Sequence, residues 1–278
     1  MKFGSLLPRV IVALLGIPVI IALIYFGRWG MLLFTLFITV RVVYEFFKMA
    51  AEIDIYVYFY PLMLTAILLP VSLFFEYTVL DLAMILMFII LYLLIIMLRK
   101  QDGNPVTNLA WSLLLLIYGT IFPVFLLVIR EYTHHWFHWD YHQSFYIILS
   151  WFIMIWICDT FAYFGGSALG KHKLAPEISP NKSVEGFVFG LAGAVVASFV
   201  LYLIGWLPFF WIYAVALGII LGIFGQIGDL VESRIKRITG VKDTASLLPG
   251  HGGIMDRFDS IIFTAPMVAG YLYLISRI

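Results

Sequence analysis

Charge is scarce in this chain. Only 12% of its 278 residues are Asp, Glu, Lys or Arg, against roughly 25% in a soluble domain. That deficit excludes an ordinary water-facing globule. With 63% hydrophobic residues and a mean hydropathy of +1.04, lipid is the expected solvent. Cysteine is nearly absent: the single Cys158 excludes an internal disulfide and reads as a small buried side chain. Internal repeats and low-complexity segments are lacking too, which removes the inverted-repeat signature of many transporters. No A-x-A-like cleavage site follows the first apolar run, Val10 to Gly27. That run is too long for a signal-peptide core, so it is expected to stay as a first membrane span. The net charge of +1 says little, and nucleic acid is not an expected partner.

What is abundant is long apolar sequence. About 20 apolar residues cross the hydrocarbon core as a helix. Nine stretches qualify, roughly 10–27, 29–48, 55–75, 80–98, 109–129, 144–164, 187–206, 209–228 and 260–276. Residues 187–228 carry no charge and are too long for one span; Trp206-Leu207-Pro208 breaks them in two, because proline cannot continue a helix without losing a hydrogen bond. The expected fold is an all-α polytopic membrane bundle of about nine transmembrane helices. Its parts are N-terminal membrane helices over 1–140 and a C-terminal catalytic region over 141–278. Placing the N-terminus in the cytoplasm puts thirteen of the 17 basic residues inside and three outside, with Arg41 within a span. The two longest polar connections, 165–186 and 229–259, then both face the cytoplasm.

The second connection holds most of the chemistry. It opens as a helix continuing the eighth span, with Asp229, Glu232, Ser233 and Lys236 on one face. By itself this also fits an amphipathic interfacial helix with a solvated polar side. Gly240 ends the helix, and Lys242-Asp243 and then Pro249-Gly250-His251-Gly252-Gly253 follow. Such a turn brings backbone close to a ligand and can aim several N–H groups at one anion. Asp256, Arg257 and Asp259 stand at the mouth of the last apolar helix, where carboxylates are costly and default to a functional reading. Cations alternating with carboxylates suit a phosphate chain with bound Mg²⁺: carboxylate oxygens hold the metal and Lys and Arg hold phosphates. Asp159 is an acid inside the apolar sixth span, readable also as a helix-end carboxylate facing other spans; in the first connection Lys171-His172-Lys173 form a basic cluster, and Ser183 is placed to cap a helix with Glu185 near its positive end.

These residues carry a resemblance. SRIKRITGVKDTASLLPGHGGIMDRFD, residues 233–259, resembles the hallmark of the phosphatidate cytidylyltransferase (CDP-diacylglycerol synthase) family through Ser233, Ile235, Lys236, Arg237, Lys242, Asp243, Ala245, Leu248, Pro249, His251, Gly252, Gly253, Ile254, Asp256, Arg257 and Asp259. A second element matches through Asp159 to Phe164, and a third through Ser179, Pro180, Lys182, Ser183, Glu185 and Gly186. The likeness covers about residues 150–275; the first 140 residues carry no family-specific motif.

The resemblance implies transfer of CMP from CTP to phosphatidic acid, giving CDP-diacylglycerol and pyrophosphate. The attacking oxygen is an ionised phosphate monoester, so neither a protein nucleophile nor a strong base is needed, and positioning and charge neutralisation carry the reaction. Asp229 and Asp256 are the expected ligands of Mg²⁺, with a second cation such as K⁺ also envisaged. Lys236, Arg237, Lys242, Arg257 and Lys182 would hold phosphates, with Ser179 and Ser233 in the substrate site. His251 is open between phosphate donor and structural histidine. Asp159, Asp243 and Asp259 are open between binding metal, positioning basic side chains and contacting cytosine or ribose. The expected setting is a bacterial plasma (inner) membrane, with the lipid entering sideways, CTP arriving from the cytoplasm, and a homodimer as one arrangement of the chain. Two other classes compete: an ion-coupled transporter built around Asp159, and a CTP-dependent lipid kinase releasing CDP.

Other features read as structural. His134, His138 and His142 recur every four residues, but with Trp136, Phe137, Trp139 and Tyr141 between them an aromatic interface belt fits better than a metal face. Arg41 and Glu45 read as a helix-face ion pair, Gly165-Gly166 as a helix terminator first and a phosphate cradle second, and Gly218, Gly222 and Gly225 as close helix packing.

Overall fold

The computed structural model describes residues 6–76, 78–98, 103–245 and 252–278, with the backbone alone over 6–13, 78–81 and 96–98. Among the described residues the chain forms nine helices: α1 Leu6–Phe26, α2 Arg28–Ala51, α3 Phe59–Phe74, α4 Thr78–Leu98, α5 Pro105–Phe137, α6 Tyr141–Leu169, α7 Val184–Leu203, α8 Trp211–Ile238 and α9 Met255–Ile275. Six of them (α2 and α5 to α9) are long and apolar enough to span a membrane. Helix α3, with 16 residues, reaches only about 24 Å at 1.5 Å per residue. The fold is that of an all-α multi-pass membrane protein.

Local chemistry sets the boundaries. Asn104 caps α5 by accepting the N–H groups of Val106 and Thr107, with Pro105 at the first helical position. Within α5, a π-turn at Ile117–Ile121 lies just before Pro123, whose missing N–H leaves the helical ladder incomplete. Around Pro208 the chain breaks between α7 and α8, and α8 runs on past its apolar part to Ile238, ending before Gly240 at φ 72°.

One local expectation is corrected. Gly165-Gly166 do not end α6, which continues to Leu169. They are packing positions: a Cβ at Gly165 would collide with Phe189 of α7, and one at Gly166 would crowd the Ser183 hydroxyl. Moreover, the connection after α6 is a short antiparallel hairpin, β1 Lys173–Ala175 with β2 Ser179–Ser183, paired Lys173↔Ser183 and Ala175↔Ser179.

The chain divides into two compact units, Met1–Leu127 with Ile238–Arg257, and Val128–Arg237 with Phe258–Ile278.

Candidate active site

In the second unit, small residues let the helices close on one another. A Cβ at Gly218 would strike Ser198 of α7, one at Gly222 would strike Leu191, and one at Gly228 would strike Phe263 of α9. The Ser260 hydroxyl donates to the Gly225 carbonyl at 2.9 Å, tying α9 to α8. The residues beside these contacts are Asp229 and Asp259, and close approach brings their carboxylates together. Asp229, Glu232 and Asp259 each offer an oxygen, all within 4.8 Å of one another. Among the described residues this is the one such group of potential metal ligands.

Cations border the cluster. Lys182 reaches in from β2, its Nζ 2.8 Å from Asp229 Oδ2 and 3.5 Å from the Gln226 carbonyl. Gln226 donates its side-chain amide to the carbonyls of Phe187 and Gly222, fixing α8 against the start of α7. Lys236 Nζ lies 2.6 Å from Glu232 Oε2, one helical turn away. The Glu232 side chain is 1% exposed and that of Lys236 12%, so this face of α8 is not the solvated side of an interfacial helix. Ser233 donates to Asp229 Oδ1 at 3.3 Å. Asp159, on α6, is close enough to feel the charges of Asp229 and Lys182. The all-oxygen donor set of Asp229, Glu232 and Asp259 fits a hard divalent cation such as Mg²⁺.

The hairpin that delivers Lys182 is anchored at both ends. At its base, Ser183 caps α7 by accepting the Gly186 N–H. Glu185 accepts the N–H groups of Lys171 and His172 and lies 2.6 Å from the His172 ring. At its turn, the Ile178 carbonyl accepts Arg237 Nε–H at 3.2 Å. Ser179 is half-buried in β2.

The first unit holds a carboxylate network around Asp256. Asp256 Oδ2 accepts the Gly253 N–H at 2.7 Å and the Thr244 N–H at 2.9 Å, and the Thr244 hydroxyl lies 2.9 Å away. Glu45 of α2 is fully buried. Its Oε1 accepts the Ile254 N–H at 2.9 Å; its Oε2 accepts the Met255 N–H at 3.0 Å and the Thr244 hydroxyl at 2.8 Å. Arg41 is 3.2 Å from Oε1. The expected helix-face pair therefore exists, but the principal partners of Glu45 lie in the signature segment. The N–H groups of Gly253, Ile254 and Met255 thus cradle the protein's own carboxylates. The two glycines have different reasons: Gly252 takes φ 75°, and a Cβ at Gly253 would collide with Thr244 Oγ1 and Glu45 Oε2.

The remaining expected residues fall as follows. Lys242 and Asp243 are exposed just after the Gly240 turn, and Arg257 is exposed in the first turn of α9. His251 lies outside the described residues. Sequence reasoning placed Glu232 on the right face but omitted it from the site, and it missed Glu45 and Thr244. The signal for Glu232 was its turn-by-turn spacing with Asp229 and Lys236; for Glu45 it was a carboxylate inside an apolar helix. At the other end of α6, α5 stops at Phe137, His138 takes φ 57° and a new helix starts at Tyr141, so the three histidines do not share one helix face. Phe137 and Trp139 stack there at 4.0 Å.

Comparison with known proteins adds a final observation. A sequence model described as "Cytidylyltransferase family" matches residues 7–275. The phosphatidate cytidylyltransferase of Bacillus subtilis (strain 168) is 51% identical over 124 residues, 45% of this chain and 46% of that protein. That of Staphylococcus haemolyticus (strain JCSC1435) is 41% identical over 196 residues, 64% of this chain and 75% of that protein. That of Staphylococcus aureus (strain COL) is 48% identical over 127 residues. The matched stretch thus spans about half the length of the first and third relatives and three quarters of the second.

Proposed function

The chain belongs to the cytidylyltransferase family, and on that premise we propose that it transfers CMP from CTP to phosphatidic acid, releasing pyrophosphate and forming CDP-diacylglycerol. The observation that carries this reading is the acidic cluster flanked by lysines within the family's matched range. In the reaction a phosphatidate oxygen forms a bond to the α-phosphorus of CTP, and the bond from that phosphorus to the β-phosphate oxygen breaks. Both substrates are polyanions, so the protein's task is to hold them together against repulsion and aim the attacking oxygen.

Asp229, with Glu232 and Asp259 beside it, would hold Mg²⁺, and Asp256 is proposed as a further ligand on the sequence pattern. The bound cation would neutralise phosphate oxygens of CTP. Lys182 already sits at the cluster's edge on an anchored hairpin, a fixed positive charge for a phosphate oxygen. Lys236 and Arg237 on α8, and Lys242 and Arg257 beyond it, are proposed as phosphate contacts for CTP, phosphatidate or departing pyrophosphate. Exposed Phe161, Tyr163 and Phe164 on α6 suit the acyl chains of a lipid meeting its phosphate at the membrane surface. The proposed setting is the bacterial plasma membrane with this site on the cytoplasmic side.

The decisive assay supplies detergent-solubilised protein with CTP, Mg²⁺ and phosphatidate. Pyrophosphate plus a CDP-lipid is the expected product pair; CDP plus a phosphorylated lipid would make the protein a lipid kinase instead. Asp256→Asn is expected to abolish turnover while the protein still inserts into membranes, and a fully active variant would remove Asp256 from metal binding.

A further inference from the structure

A carboxylate buried in an apolar helix is costly unless its oxygens are saturated with donors. Glu45 meets that condition in an instructive way. Of the donors on its two oxygens, only Arg41 comes from its own helix; the Ile254 N–H, the Met255 N–H and the Thr244 hydroxyl come from the segment that also bears Lys242, Asp243 and Asp256. The two N–H groups belong to the start of α9, where the helix's unsatisfied donors and positive dipole end favour an anion. The Thr244 hydroxyl stands between Glu45 Oε2 at 2.8 Å and Asp256 Oδ2 at 2.9 Å. A hydroxyl has one proton, so it donates to one carboxylate at a time while its oxygen keeps both within reach. Glu45 and Asp256 thereby share a single clamp, and Gly253 lies between them with no room for a side chain.

We propose that Glu45 is a positioning residue for nucleotidyl transfer: from α2 it fixes Thr244 and the first turn of α9, and through them the orientation of the Asp256 carboxylate. The inference rests on the reading of this chain as a cytidylyltransferase that uses Asp256. A carboxylate is required here and its amide will not serve. Glutamine would present an NH₂ group where N–H and O–H donors already converge, leaving donors facing donors.

The test combines two measurements on the full-length protein in detergent. Hydrogen exchange at the Ile254 and Met255 amides, read without Mg²⁺, should accelerate at least tenfold in Glu45→Gln. CDP-lipid formation should show a kcat at least tenfold lower and a Mg²⁺ concentration for half-maximal rate several-fold higher, with KM for phosphatidate within twofold of wild type. Thr244→Val, nearly isosteric but without the hydroxyl, should reproduce the kcat and Mg²⁺ changes, and Thr244→Ser should restore most of the rate. If wild type makes no CDP-lipid, the function reading fails and this inference falls with it. If wild type is active and Glu45→Gln keeps its Mg²⁺ dependence and kcat, the positioning role is refuted while the function stands. Should Glu45→Gln fail to fold, an unaltered Mg²⁺ response in Thr244→Val refutes it equally.

Discussion

Two ion pairs on or against α8 use the same chemistry to different ends. Lys182–Asp229 is partly exposed, at 25% and 36% of the side chains, and such a pair contributes about 0–1 kcal/mol to stability. Its placement beside three carboxylates makes better sense as a site for a substrate phosphate than as a structural tie. Glu232–Lys236 is nearly sealed from solvent, and breaking a buried pair by removing one partner costs roughly 3–5 kcal/mol. The pairs should therefore separate by experiment. Lys182→Met is expected to lower CDP-lipid formation by about 100-fold, the size of effect seen when one preorganised charge contact is lost, with the unfolding temperature in detergent nearly unchanged. Glu232→Gln is expected to lower that temperature by several degrees, whatever its activity. Equal thermal losses in the two variants would contradict the division.

Helix packing translates these residues into a site. Gly228 sits immediately before Asp229, and a Cβ there would press on Phe263 of α9, one turn beyond Asp259. Gly228→Val should push α8 and α9 apart at the point where the two acids meet. Overpacking of this kind typically costs about 1–3 kcal/mol; activity should fall further than stability does, as a higher Mg²⁺ requirement in the same assay would show. At this scale much was legible in advance. Pro208 and Gly240 mark real breaks because proline's missing N–H and glycine's ease at positive φ act locally, and Ser183 caps α7 through an equally local hydrogen bond. The hairpin at 173–183 was not legible: SPNKS has neither alternation nor β-branched residues, and its strand form depends on Glu185, His172 and Arg237 holding it. Gly165-Gly166 misled because a glycine that ends a helix and one that admits a neighbouring helix look alike until the neighbour is known. For Glu45 only the pairing with Arg41 was legible, since its other donors lie up to 210 residues away in the chain.

For the whole molecule, the bias of basic residues toward one set of connections is a statement about orientation that the helices allow to be tested. Helix α6 has 29 residues, about 43 Å at 1.5 Å per residue, so its two ends belong to opposite faces of a bilayer whose hydrocarbon core is about 30 Å thick. Glu177, in the hairpin turn beyond one end, and His135, in the last turn of α5 beside the other, are both exposed. Cys158 is the single cysteine and is buried, so Cys158→Ala supplies a silent background for labelling. In intact cells a membrane-impermeant maleimide should modify His135→Cys and leave Glu177→Cys untouched; permeabilising the membrane should expose Glu177→Cys. The reverse pattern would place the Lys182 hairpin outside. CTP is made and kept in the cytoplasm, so the carboxylate cluster would then face the compartment without its nucleotide, and the cytidylyltransferase reading would fail however well the cluster suits Mg²⁺.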